Sequence, residues 1–269
     1  MQTLNALETR NALHAYGLDS PSGVGFAFVD AARDVLYDWH AHDYHQLIYA
    51  TGGPAQIETG RGRHILPQGR AAWIPAETLH RSMVTGGVAS LYFSPDAIED
   101  ETRHVRILIG SRLMQGMILH AVRWPLGASE SDPLADSFLR TLALLCGEWL
   151  ESELPLFLPS AQHPSIRRAM DYALADLSTV SLSKAVAIAA QSERTFRRSF
   201  ARETGMTWQA WLAQARIQMA MGLLIRGRRV SDVAIEVGYS SLSAFAKAFG
   251  QIAGEGPAQF RQRYLEKAH

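Results

Sequence analysis

The spacing of apolar residues changes twice along the chain. Between residues 23 and 93 they fall in short pieces, GVGFAFVD, HQLIYATG, AQIETG, RHILPQG, RAAWIP and ASLYFS, separated by Gly, Pro and Asp. Runs of this length between turn residues predict the strands of a small antiparallel barrel or sandwich. From about Ile98 apolar residues recur at three- and four-residue intervals, in AIEDETRHVRILIGSRLMQGMILHAVRW and DPLADSFLRTLALLCGEWLESE. That spacing predicts two helices, broken at Pro125 and Pro133. LPLFLPSAQHP, with three prolines, has the composition of an interdomain linker, and the pattern is helical after Pro164. The predicted fold is α+β multidomain. A β-rich domain spans 1–97, a helical segment 98–153, the linker 154–164 and an all-α domain 165–269.

Two stretches of the all-α part share one design. In VSDVAIEVGYSSLSAFAKAFG, Ser231 can cap a short helix, Gly238 supplies a tight turn and Ser241 can cap a second helix. Phe245 and Phe249 lie one turn apart on an inner face, and Ser243 and Lys247 fall on the outer one. In SLSKAVAIAAQSERTFRRSFARETG the caps are Ser181 and Ser192, and the inner pair is Phe196 and Phe200. Arg194, Arg198 and Arg202 point outward, with Arg197 beside them. A short helix, a tight turn and a second helix with a polar outer face make a helix-turn-helix. WQAWLAQARIQMAMGLLIRG between them predicts one long helix that sets their separation.

Charge supports two jobs. The net charge is zero over the whole chain. Residues 1–160 carry 11 Lys+Arg against 18 Asp+Glu, 11 − 18 = −7, and residues 161–269 carry 15 against 8, 15 − 8 = +7. The basic half is a candidate for a polyanion. No apolar run reaches the ~18 residues of a membrane span, and the first residues lack the apolar core of a secretory signal. The single cysteine, Cys146, excludes an intramolecular disulfide and suits a reducing cytosol.

The basic half resembles the AraC/XylS family of transcriptional regulators over roughly residues 165–265. The likeness rests on SERTFRRSFARETG, ARIQMAMGLL, VSDVAIEVGYSSLSAFAKAFG and GEGPAQFR, the last placing Gly254, Pro257, Phe260 and Arg261 at the family's spacing. The resemblance implies a module whose two recognition helices enter adjacent major-groove segments. Carried over by position, the first presents Arg194, Arg197 and Arg198, the second Leu242, Ser243, Ala246 and Lys247. Arginine can grip guanine O6 and N7 with two hydrogen bonds, so base readout is expected mainly from the first unit. Two positions depart from the family. Val186 stands where a small alanine is usual and Ala190 where the turn usually has glycine, so a differently shaped first turn is expected.

The acidic half holds eight of the ten histidines, three of them in HAHDYHQ. On a strand His40 and His42 share a face with Gln46, and His45 takes the other. With LPQGRAAWIPAETLH, which ends in His80, this resembles the two sequence blocks of a cupin barrel, Pro67 and Gly69 marking the second. The resemblance implies that His40, His42, Gln46 and His80 meet inside the barrel. In AraC-type regulators such a barrel commonly receives the effector and the helices behind it form a dimer. Three imidazoles would suit Zn, Ni, Cu or Fe(II), with Gln46 replacing the family's carboxylate. The same groups could hydrogen-bond an organic effector or form a plain polar interior. Trp39, Tyr44, Tyr49 and Trp73 are expected to pack the barrel.

These features favour a cytoplasmic, non-enzymatic regulator controlled by a small molecule or metal ion. Its expected partners are a double-stranded DNA operator, a second copy of the chain and, at an activated promoter, RNA polymerase. The alternative is a cupin metallo-enzyme of dioxygenase or isomerase type with an accessory helical domain. Two matched recognition helices with outward arginines have no use in such a tail.

Overall fold

The computed structural model describes residues 2–18, 23–30, 34–100 and 102–265. The chain divides into two compact units, residues 1–60 with 64–154 and residues 61–63 with 155–269. The first unit contains β1 (Gln2–Leu4), β2 (Gly25–Asp30), β3 (Val35–His40), β4 (His45–Ala50), β5 (Ala55–Thr59) and, from His64 on, β6 (Gly62–Leu66). It continues with β7 (Ala71–Ile74), β8 (His80–Val84), β9 (Val88–Phe93), β10 (Arg106–Leu108) and β11 (Glu153–Leu154). Its helices are α1 (Ala6–Ala15), α2 (Arg112–Ala121), α3 (Ala128–Ser131) and α4 (Pro133–Trp149).

One sheet runs β1-β3-β8-β5-β6 and the other β11-β10-β7-β4-β9-β2. Strand alternation then divides the central strands between two environments. Gln46 and Ile48 of β4, with Ser90 and Tyr92 of β9, line a cavity between the sheets. Their neighbours Leu47, Tyr49, Leu91 and Phe93 point the other way, into a core with Met114 and Ile118 of α2 and Leu139, Leu142 and Cys146 of α4. Both faces of β4 are therefore buried, although one of them is polar. Burial pushes the Cys146 thiol pKa up, which makes it a packing residue rather than a nucleophile.

Three sequence expectations are corrected here. β3 and β8, absent from the strands read off the sequence, are central to the first sheet. The helix expected from Ile98 starts only at Arg112, where Ser111 Oγ accepts the Met114 amide at 3.0 Å. Before it, Arg106–Leu108 pairs with β7, because a short apolar run can serve a buried strand as well as a helix.

The second unit contains β12 (Phe157–Pro159) and helices α5 (Pro164–Ala175), α6 (Leu182–Ile188), α7 (Glu193–Thr204), α8 (Trp208–Ile225), α9 (Val230–Glu236), α10 (Leu242–Ala253) and α11 (Pro257–Leu265). The expected linker is structured. Leu158 and Ala161 join the helical core with Phe196, Phe200, Trp208 and Trp211, and Trp211 Nε1 donates to the Pro159 carbonyl at 3.1 Å. A fragment starting at His163 loses the packing of Leu158 and Ala161 on the helical core and the buried Trp211–Pro159 hydrogen bond. It should be about 3 kcal/mol less stable than one starting at Pro155. Urea unfolding of the two fragments measures this, and equal midpoints would contradict it.

Candidate functional site

Two helix-turn-helix units repeat in the second unit. In the first, Ser181 Oγ accepts from the Lys184 amide at 3.3 Å and starts α6, and Ser192 Oγ accepts from Thr195 at 3.2 Å and starts α7. In the second, Ser241 Oγ accepts from Ala244 at 3.3 Å and starts α10. Ser231 is not the cap expected. The N-cap position of α9 is Arg229, without a side-chain hydrogen bond, and Ser231 instead donates to Asp232.

The first turn is not reshaped by Ala190. Ala190 adopts a left-handed backbone with φ 54°, as Gly238 does with φ 88° in the second turn. The closing hydrogen bonds match: Ala190 to Ala187 and Gln191 to Val186, against Gly238 to Ile235 and Tyr239 to Ala234. Val186 is also accommodated. In the first unit the fully buried neighbour is Ala185, beside a partly buried Val186; in the second Val233 and Ala234 take those places. Large and small residues have exchanged places.

Phe196 and Phe200 are wholly buried, as are Phe245 and Phe249. The opposite faces are open. Arg194, Arg197 and Arg198 are exposed on α7, and Leu242, Ser243 and Lys247 on α10, where Ala246 is half-buried. Arg197 lies along its own helix, its Nη2 and Nε 2.8 and 2.9 Å from Glu193 Oε1. No partner of that kind ties Arg194 or Arg198 among the described ion pairs.

In the first unit β3 ends at His40, so His42 stands on the connection to β4 rather than on the expected strand. The convergence still occurs. His40 and His80 are cross-strand partners with ring centroids 4.2 Å apart. The His42 ring is 5.4 Å from His80 and 6.3 Å from His40. Each Nδ1 lies 2.7–2.8 Å from a backbone carbonyl: His40 to Asp38, His42 to Tyr44 and His80 to Thr78. A carbonyl oxygen only accepts, so all three Nδ1 atoms carry the proton and each Nε2 holds a lone pair. Burial holds all three imidazoles below their ordinary pKa, His42 at about 4.

Gln46 closes the cluster. As placed, its Oε1 is 3.2 Å from His42 Nε2, and its Nε2 is 3.1 Å from Ser90 Oγ and 2.9 Å from the Tyr92 hydroxyl. Two lone pairs would meet at His42. Exchanging the amide's N and O removes the conflict: the nitrogen donates to His42, and the oxygen accepts from both hydroxyls. His80 Nε2 is buried without a partner.

His40 and Gln46 line the inter-sheet cavity with Asp30, Tyr37, Ser82 and Tyr92. Leu13 of α1 and Tyr16 close one side of it. Neither α1 nor the Asp30–Tyr37 pair nor the two serines were read from the sequence; the strand residues were missed because strands that face a cavity carry polar residues inward. His45 leaves the cavity as expected, yet it is buried, stacked 5.0 Å from Trp73. Tyr44, Tyr49 and Trp73 pack inside, whereas Trp39 is half-exposed under the Arg81 guanidinium. The residues do not fit a resident metal. His42 Nε2 is taken by Gln46, and no group of three His, Cys, Asp or Glu among the described residues could hold an ion.

A cavity-bearing barrel followed along the chain by two helix-turn-helix units defines a ligand-binding transcriptional regulator. An AraC-like ligand-binding domain model matches residues 24–146, and a helix-turn-helix domain model matches residues 185–263. The chain belongs to the AraC family of transcriptional regulators. It is 28% identical over 258 residues to the transcriptional regulator NimR of Escherichia coli, covering 93% of this chain and 92% of that one. It is 38% identical over 73 residues to the transcriptional activator RhaR of Klebsiella pneumoniae, which is 27% of this chain and 26% of that one. Among solved structures, the DNA-binding domain of AdpA in complex with a target DNA is 29% identical, with TM-score 0.37, over 39% of this chain and 96% of that one. No helix among the described residues is long and apolar enough to cross a membrane.

Proposed function

We propose that this regulator takes a small effector into the barrel cavity beside His40, His42, Gln46 and His80. It reads its operator chiefly through Arg194 and Arg198 of α7. The observation that carries the DNA reading is the pairing of a buried Phe196–Phe200 face with an exposed arginine face, repeated in α10 with Leu242, Ser243, Ala246 and Lys247. Arg197, held by Glu193, is a secondary contact that an approaching phosphate or base can release, since exposed ion pairs contribute little. A second copy of the chain is the proposed partner of the α2 and α4 surface, where Leu113, Leu119, Leu134 and Leu144 are exposed. At an activated promoter RNA polymerase is a further partner, and the buried free thiol of Cys146 suits work in the cytoplasm.

The test is duplex binding by the full chain, on a selected operator and on random DNA at several salt concentrations. Arg198→Ala should cost about 1–3 kcal/mol on the operator and much less on random DNA. Arg197→Ala should cost less on the operator than Arg198→Ala. Lys247→Ala should weaken both duplexes about equally, as a phosphate contact does. Equal losses on both duplexes for Arg198→Ala would show that the recognition face is misassigned. A full chain without salt-dependent DNA affinity would remove the regulator's reading head altogether.

A further inference from the structure

The caps Ser192 and Ser241 and the buried pairs Phe196–Phe200 and Phe245–Phe249 align α7 with α10 residue for residue. On the outer faces Glu193 then corresponds to Leu242, Arg194 to Ser243, Arg197 to Ala246 and Arg198 to Lys247. In α7 the first and third of these positions, one helical turn apart, hold the ion pair of Glu193 with Arg197. In α10 the same two positions are apolar. Leu242 is the first residue of the helix and is 52% exposed. Ala246, one turn on, is half-buried. A single exposed leucine is ordinary on a protein surface. This one stands in the first turn of α10, where the second helix of a helix-turn-helix meets base edges, with the exposed Ser243 and Lys247 beside it.

The chemistry of this face limits what it can recognise. Neither Leu242 nor Ala246 has a side chain that hydrogen-bonds. Ser243 can donate or accept, so it suits several bases. Lys247 acts as a point charge. In the major groove the thymine 5-methyl is the apolar group among the base edges. A leucine laid against it removes apolar surface from water on both sides. Cytosine in its place turns an N4–H donor toward the leucine, which offers no acceptor.

We propose that α10 selects A·T pairs by their thymine methyl groups, with Leu242 as the specificity-determining residue. Ala246, small and on the same face, lets the helix come close to the base. The operator is then of mixed chemistry, with guanines under Arg194 and Arg198 of α7 and methyl-bearing thymines under α10. This rests on the reading of α7 and α10 as recognition helices and names what the second of them reads.

The test uses the full chain on an operator selected from random duplexes. Single thymines are replaced by deoxyuridine, which lacks only the 5-methyl group. One or two of these replacements should each lower affinity about three- to five-fold, as the loss of one buried methyl does. Leu242→Ala should bind the parent operator more weakly and should no longer distinguish it from those deoxyuridine duplexes. Leu242→Met, which keeps an apolar contact, should retain the distinction. Leu242 lies outside the buried core, so the unfolding midpoint of both variants should stay that of the wild type. In a second arm single guanines are replaced by 7-deazaguanine, which lacks the N7 acceptor. Sensitivity to that change should vanish in Arg198→Ala and persist in Leu242→Ala. An operator without a methyl-sensitive thymine overturns the proposal, and so does methyl sensitivity that persists in Leu242→Ala. If the 7-deazaguanine arm behaves as expected in either case, the recognition helices stand and the methyl contact alone falls. Failure of both arms overturns the assignment of the recognition helices as well.

Discussion

Gly238→Ala should destabilise the helical unit by about 3 kcal/mol, whereas Ala190→Gly should stabilise it by about 0.5–1 kcal/mol. The two residues hold equivalent places in the two turns, both with positive φ. A left-handed backbone costs a non-glycine residue about 1–2 kcal/mol. Ala190 bears that cost already, and glycine would relieve it. Part of the gain is offset by the greater freedom of glycine in the unfolded chain. Gly238 has a second constraint. A Cβ there would sit 2.8 Å from the Leu177 carbonyl oxygen and 2.8 Å from Arg216 Nη2. That guanidinium cannot simply swing away. Its Nε and Nη2 donate to the Leu177 carbonyl at 3.2 and 3.0 Å, and it lies over the Tyr239 ring. Arg216 of α8 thus ties the segment before α6 to the turn before α10, and an added methyl would push against that tie. Urea unfolding of the full chain, followed by loss of helical circular dichroism, measures both changes. Similar effects from the two substitutions would mean that backbone conformation alone sets the cost and that the Arg216 contact adds nothing.

The two units differed in how far their sequences disclosed them, for a physical reason. In the helical unit the signals are local. Ser192 and Ser241 cap the next helix, Phe196 with Phe200 and Phe245 with Phe249 lie one turn apart, and Gly238 marks a turn that needs positive φ. Each feature spans a few residues, and its recurrence in the second unit made the pattern specific. Ser231 shows the limit, since a capping residue two positions late looks the same in sequence. The barrel was read through hydrophobic alternation, which holds only where the inward face is apolar. On β8 the inward residues include His80 and Ser82. The alternation is inverted where the chemistry lies, so β8 went unread although His80 was singled out. Parity along HAHDYHQ correctly separated Gln46 from His45, because both stand on β4. It placed His42 on a strand that ends before it, and the trio forms through a turn instead. That His45 would be buried depends on Trp73 and on the Ile98–Asp100 segment reaching it from far along the chain, a long-range fact that no local pattern carries.

The β-rich unit should lose stability as pH falls from about 6.5 to about 4, while the helical unit changes far less over that interval. Burial is the main reason that the His42 pKa falls to about 4, and the neighbouring His40 adds to it. The hydrogen bond that His42 Nδ1 donates to the Tyr44 carbonyl opposes the shift without cancelling it. His80 and His40 move in the same direction, also through burial. An unfolded chain takes up a proton at each of these rings once pH drops below about 6.5. The folded barrel does not do so until pH approaches the lowered values. Between those limits the unfolded state binds more protons, so acid favours unfolding. The contribution is complete above about 6.5 and is lost progressively toward about 4. For His42 alone, about 2.5 pKa units amount to about 3 kcal/mol. Carboxylates enter later, below their own ordinary values; Asp100, whose pKa is lowered, is one of them. The helical unit has one histidine among its described residues, His163, which is exposed. Scanning calorimetry across this range should therefore show the transition of the β-rich unit moving to lower temperature ahead of the helical one. His42→Gln should flatten the dependence by removing the most clearly shifted ring. A variant with the same acid sensitivity as the wild type would show that protons are taken up elsewhere first, and that the imidazole cluster is not what acid breaks.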